Sequence, residues 1–184
     1  EEPRAWLSNF SNGFTSMLTA RERLGLPGQA ARTRWTGGDA TPSTIGAVDW
    51  GAACEKETPH YLAHPARELL ERLSVTAGTS KGEEGWIIAV VELLTFITLA
   101  AVRASCWAGE LVYYVTDNDN VRSWLEKRRP KNSLARHLLR VLQRLEAKNN
   151  FRVTCFYVRT YHNEVADWLT REELPKVHNE LAAK

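Results

Sequence analysis

Residues 86–102 (WIIAVVELLTFITLAAV) form an apolar run interrupted by two threonines and by one carboxylic acid, Glu92, near its middle. A helix without a polar face has to be enclosed, either by other protein elements or by lipid. The run is marginal in length for a membrane span, and an ionised Glu92 is costly at the centre of one. The expectation is therefore a buried helix, with no membrane association. A chain of 184 residues can enclose such a helix in one domain. The buried glutamate then needs compensation from its surroundings.

Elements flank this helix in an order that suits an α/β sheet protein. Residues 33–39 (TRWTGGD) and 44–50 (TIGAVDW) are strand-like and are separated by Ala40-Thr41-Pro42-Ser43, which predicts a hairpin. Residues 53–85 are the least legible, with a candidate strand near Tyr61-Leu62, a candidate helix in ARELLERL and a loop after it. Residues 110–116 (ELVYYVT) read as a buried central strand ending at Asp117. Two helices should follow. In the second, Leu134, Leu138, Val141, Leu142 and Leu145 recur at helical spacing, while Arg136, Arg140, Arg144 and Lys148 fall elsewhere. Residues 151–158 read as a last strand, and Asn163 is placed to cap a final helix through Ala166, Asp167 and Leu169. The pattern divides the chain into a helical tether or the end of a preceding domain (1–30), one domain (31–175) and a C-terminal tail (176–184). The chain opens Glu1-Glu2-Pro3 with no signal peptide, as expected of a segment of a longer, intracellular, cytoplasmic or nuclear polypeptide. Cys54, Cys106 and Cys155 are far apart in sequence, which argues against a disulfide framework or a zinc site.

Four acids, Asp39, Glu92, Asp117 and Asp167, are expected where strands end or helices begin, each among apolar or small residues. Carboxylates without nearby histidine or cysteine suit a hard cation such as Mg²⁺ or Mn²⁺. Two such ions about 4 Å apart can activate water and stabilise the leaving oxygen in phosphodiester hydrolysis. Competing readings exist for three of these acids. Asp39 is also a plausible turn aspartate, with Asp49 as rival first ligand; Asp119 rivals Asp117; and Asp167 can pair with Arg171 one turn later.

The same residues resemble the ribonuclease H domains attached to reverse transcriptases, most closely those of gypsy-like and DIRS-like retroelements. Asp39-Ala40-Thr41 followed by Ile45-Gly46-Ala47-Val48 is similar to the family's Asp-Ala-Ser and Gly-Ala-Val. Glu92-Leu93-Leu94, Thr116-Asp117-Asn118 and Asn163-x-x-Ala166-Asp167-x-Leu169-Thr170-Arg171 resemble the later motifs in the same order. The resemblance spans residues 33–171. It implies a ribonuclease H-like mixed five-stranded sheet with helices on both faces. It further implies Asp39, Glu92, Asp117 and Asp167 as catalytic ligands of two Mg²⁺ or Mn²⁺ ions, with Asn163 and His162 in support. The implied activity is cleavage of the RNA strand of an RNA/DNA hybrid, by a domain joined to a reverse transcriptase. A domain of this kind that has lost its chemistry and serves as a binding module is the alternative. His162 stands directly before Asn163, whereas many ribonucleases H carry their histidine in a longer loop.

The net charge of only +2 does not point to a partner, but the distribution does. From residue 121 to 159 there are eleven Lys or Arg against two acids, Glu126 and Glu146. Arg122, Lys127, Arg128, Arg129, Lys131 and Arg159 are the candidate contacts for a phosphate backbone. A solvated helix face is the competing explanation. Trp124 is either a stacking residue or part of the core.

Overall fold

The computed structural model describes residues 32–52, 57–77, 87–158, 164–171 and 173–182. The expected tether over 1–30, together with Cys54, Arg159, His162 and Asn163, lies outside them. The two strand-like runs form β1 (Arg32–Ala40) and β2 (Thr44–Ala52), paired antiparallel from Arg34 opposite Ala52 to Ala40 opposite Ile45. Thr41 closes the turn, with its N–H donating to the Thr44 carbonyl at 2.8 Å and its hydroxyl accepting from the Thr44 N–H at 3.0 Å. The register slips between Trp35 and Thr36, next to Gly51 at φ +94°. A side chain at position 51 would both strain that left-handed backbone and meet Glu57 Cβ at 2.8 Å.

The least legible stretch contains β3 (His60–Pro65), antiparallel to β2, and α1 (Ala66–Thr76). After it come α2 (Ile88–Arg103), a 3₁₀ turn (Ala104–Cys106), β4 (Glu110–Thr116), α3 (Asp119–Lys127), α4 (Ser133–Asn149) and β5 (Arg152–Tyr157). Asn118 and Asn132 cap α3 and α4, their side chains accepting from the N–H groups of Asn120 and Val121 and of Ala135. β4 pairs parallel with β1 on one side and with β5 on the other, so the sheet order is β3-β2-β1-β4-β5, with two antiparallel and two parallel pairings. Helices α5 (Glu164–Thr170) and α6 (Leu174–Ala182) complete the described chain.

Strand alternation gives the sheet two apolar faces. Ile45 and Ala47 of β2 join the main core, with α2, α4, Trp107 and Tyr114. Gly46 and Val48 face the other way, where Val48 packs with Val165, Leu169 and Val177. Helices therefore cover both faces, and the domain is the mixed five-stranded α/β sheet that the motifs imply. By length and composition the helix over Ile88–Cys106 would suit a membrane, yet 67% of its most apolar window is buried inside the structure. Eleven of the sixteen residues of α2 are buried, against β1, β2 and α4. It is the central core helix.

One expected boundary changes. The tail over 176–184 is helical as far as Ala182, and Val177 is fully buried in the second core. Pro175 is tolerated because the N–H it lacks falls in the first turn of α6, where no intrahelical acceptor is available.

Candidate metal centre

The β1–β4 register pairs Arg32 with Glu110 and Gly37 with Val115, an offset that, carried two residues on, puts Asp39 level with Asp117. Both acids thus leave the carboxyl ends of adjacent parallel strands, the end of an α/β sheet where ligands usually bind. Glu92, in the second turn of α2, reaches the same point from the main-core face. Ligand oxygens of Asp39, Glu92 and Asp117 all lie within 4.8 Å of one another. Three separate elements deliver them, so the cluster is a product of the fold and not of local sequence.

Electrostatics at this corner disfavour the ionised forms of Glu92 and Asp39. Glu92 is 4% exposed, and its Oε2 is buried without a hydrogen-bond partner. Burial first, and then the charges of Asp39 and Asp117, raise its pKa to about 9, against a weaker pull from the Ala40 backbone N–H. Asp39 is pushed up to about 6, first by burial and then by Asp117, with Asp167 adding to the rise. The Ala40 N–H and the Thr170 hydroxyl act in the opposite sense. A divalent cation would relieve this repulsion and give the orphaned Glu92 oxygen a partner. The all-oxygen donor set suits a hard ion. The residues present therefore fit a metal ion.

Asp167 comes from the other face. It contributes to the potential at Asp39, but its Oδ1 accepts from Arg171 Nε at 2.9 Å, one helical turn on, in a pair open to solvent. It is outside the tight trio. The Thr170 hydroxyl, bonded to the Asp167 carbonyl at 2.8 Å, also lies 3.3 Å from Asp39 Oδ2 and ties α5 to the site. Gly46 makes this approach possible, because a Cβ there would stand 2.7 Å from Leu169 Cβ and 3.0 Å from the Ala166 carbonyl oxygen. The supporting residues His162 and Asn163 lie outside the described residues.

The rival acids are elsewhere. Asp119 is exposed and pairs with Arg122. Asp49 is fully buried toward the opposite end of β1, in an ion-pair network that the sequence reading missed. Arg34, 1% exposed, donates to Asp49, Glu57 and Glu110, while Asp49 also accepts from Arg103, the Trp107 indole N–H and the Gly51 N–H. With its oxygens fully engaged, Asp49 is a structural residue, its pKa held below the usual carboxylate value mainly by Trp107 and Arg34 despite burial. The one available signal was alternation: Arg34 and Asp49 both occupy strand positions among buried residues.

The basic segment divides into two groups. Arg128 ends α3 in a left-handed conformation (φ 55°) and forms a buried pair with Glu146 at 2.9 Å. Arg122 is half-buried and engages Asp119 and Glu126. Lys127, Arg129 and Lys131 are exposed along the α3–α4 connection, and Arg136, Arg140, Arg144 and Lys148 form the wet face of α4. Trp124 packs against the main core. No family model matches the sequence, and no curated protein matches it.

Proposed function

We propose that this domain is a metal-dependent endoribonuclease that cleaves the RNA strand of RNA/DNA hybrids, as part of a retroelement reverse transcriptase polyprotein. The observation that carries the reading is the convergence of Asp39, Glu92 and Asp117 within 4.8 Å, with a buried Glu92 oxygen left without a partner. Asp39, Glu92 and Asp117 would hold the ions, with Asp167 completing the set once it leaves Arg171. Two bound Mg²⁺ or Mn²⁺ ions would supply an activated water and stabilise the leaving oxygen, so no protein nucleophile is needed. Of the candidate contacts among the described residues, Lys127, Arg129 and Lys131 are exposed and available to a phosphate backbone. The choice of hybrid over other duplexes rests on the motif resemblance alone.

A second reading has one observation in its favour. The Arg171–Asp167 pair is what a domain that has given up its metals and kept its fold would display. The two readings separate in a cleavage assay on labelled RNA/DNA hybrid, with duplex DNA and duplex RNA as controls, in Mg²⁺ or Mn²⁺. The enzyme reading expects cutting of the hybrid alone, abolished by Asp117→Asn. Well-folded protein that cuts none of the three duplexes would shift the assignment to a binding module.

A further inference from the structure

The main core contains a second polar atom without a partner. Tyr114 on β4 is fully buried, packed on Phe96 with ring centroids 4.4 Å apart, and its hydroxyl makes no hydrogen bond. A tyrosine buried this completely normally finds a partner for its O–H, and a phenylalanine would fill the same space without the cost of burying it. The location of the hydroxyl is informative. A Cβ at Gly38 would stand 2.4 Å from Tyr114 Oη and 3.0 Å from Thr95 Cγ2. The O–H therefore lies where β1 and α2 meet, beside the residue preceding Asp39 and close to the residue one turn beyond Glu92.

The two orphaned atoms are complementary in kind: a hydroxyl that can donate and a carboxylate oxygen that can only accept when ionised. We propose that Tyr114 is a positioning residue for the metal centre, its hydroxyl donating directly or through one buried water to Glu92 when the carboxylate binds metal. The inference rests on the metal-centre reading above and extends it inward. Such outer-layer donors fix the orientation of a ligating carboxylate and compensate its charge. Gly38 is the enabling residue on β1, since any side chain there would displace the hydroxyl.

The test compares wild type, Tyr114→Phe and Asp117→Asn for Mn²⁺ binding by titration calorimetry, and for thermal stability in EDTA. Phenylalanine removes only the hydroxyl. The expected result is Mn²⁺ binding weakened about tenfold or more in Tyr114→Phe, with a melting temperature in EDTA equal to or above wild type. Asp117→Asn should abolish the binding. Equal Mn²⁺ affinity in wild type and Tyr114→Phe would overturn the role of Tyr114 and leave the metal centre standing. A lower EDTA melting temperature in Tyr114→Phe would make the hydroxyl a structural group and overturn the inference in the same way. Absence of Mn²⁺ binding by wild type would instead remove the metal-centre reading on which the inference rests.

Discussion

Replacing Glu92 by glutamine removes the carboxyl that burial and its acidic neighbours hold protonated up to about pH 9. In the unfolded chain the same group titrates near the ordinary 4.5. Between those values the metal-free native state binds more protons than the unfolded state, so the Glu92 contribution to stability falls as pH rises. The largest slope for one such group is about 1.4 kcal/mol per pH unit. From about pH 5.5 to about pH 7.5 the wild type should lose about 2–3 kcal/mol relative to Glu92→Gln. The cost of burying the amide does not vary with pH and drops out of the slope. The assay is urea denaturation of both proteins in EDTA across this pH range. Stability curves that run parallel would refute the reasoning, because they would mean that Glu92 titrates alike in the folded and unfolded chain. Added Mn²⁺ should stabilise wild type and leave Glu92→Gln unchanged.

Other consequences follow from the same contacts. Metal binding must displace protons from Glu92, and from Asp39 below about pH 6, so Mn²⁺ affinity should rise with pH, by about tenfold per unit near neutrality. Calorimetry in buffers of different ionisation enthalpy would register the released protons, and a pH-independent affinity would count against the assignment. Gly46→Val should force α5 away from β2, costing about 1–3 kcal/mol by urea denaturation and weakening hybrid cleavage more than Gly109→Ala, a site with no neighbour within 4 Å but a positive φ. Arg34→Met should cost about 3–5 kcal/mol, because it leaves Asp49 and Glu110 buried without their shared cation. A loss below 1 kcal/mol would mean that the network is not needed for the fold.

The parts of this structure legible in the sequence are those with local signatures. The hairpin follows from two strand-like runs around Thr41-Pro42-Ser43, and the core helix from a run with no polar face. Glu92 was legible because a carboxylate in such a helix has few ordinary explanations. The network around Arg34 was not, since its partners Asp49, Glu57 and Glu110 come from three separate segments brought together only by sheet pairing. For the same reason composition could not tell Arg128, folded inward onto Glu146, from exposed Arg129 beside it. Residues 176–184 read as a tail because their apolar signal is thin, with Val177 and Leu181 among polar neighbours. Asp167 was placed on the correct helix, while its pairing with Arg171 is the competing interaction that i,i+4 spacing allows.

The central claim is that the acidic corner between β1, β4 and α2 is a metal centre. Its most direct test is anomalous diffraction from crystals of the chain soaked in Mn²⁺. The account predicts anomalous peaks bounded by Asp39, Glu92 and Asp117, with Asp167 released from Arg171 to join them. A map with no peak at that corner and with the Arg171–Asp167 pair intact would contradict it.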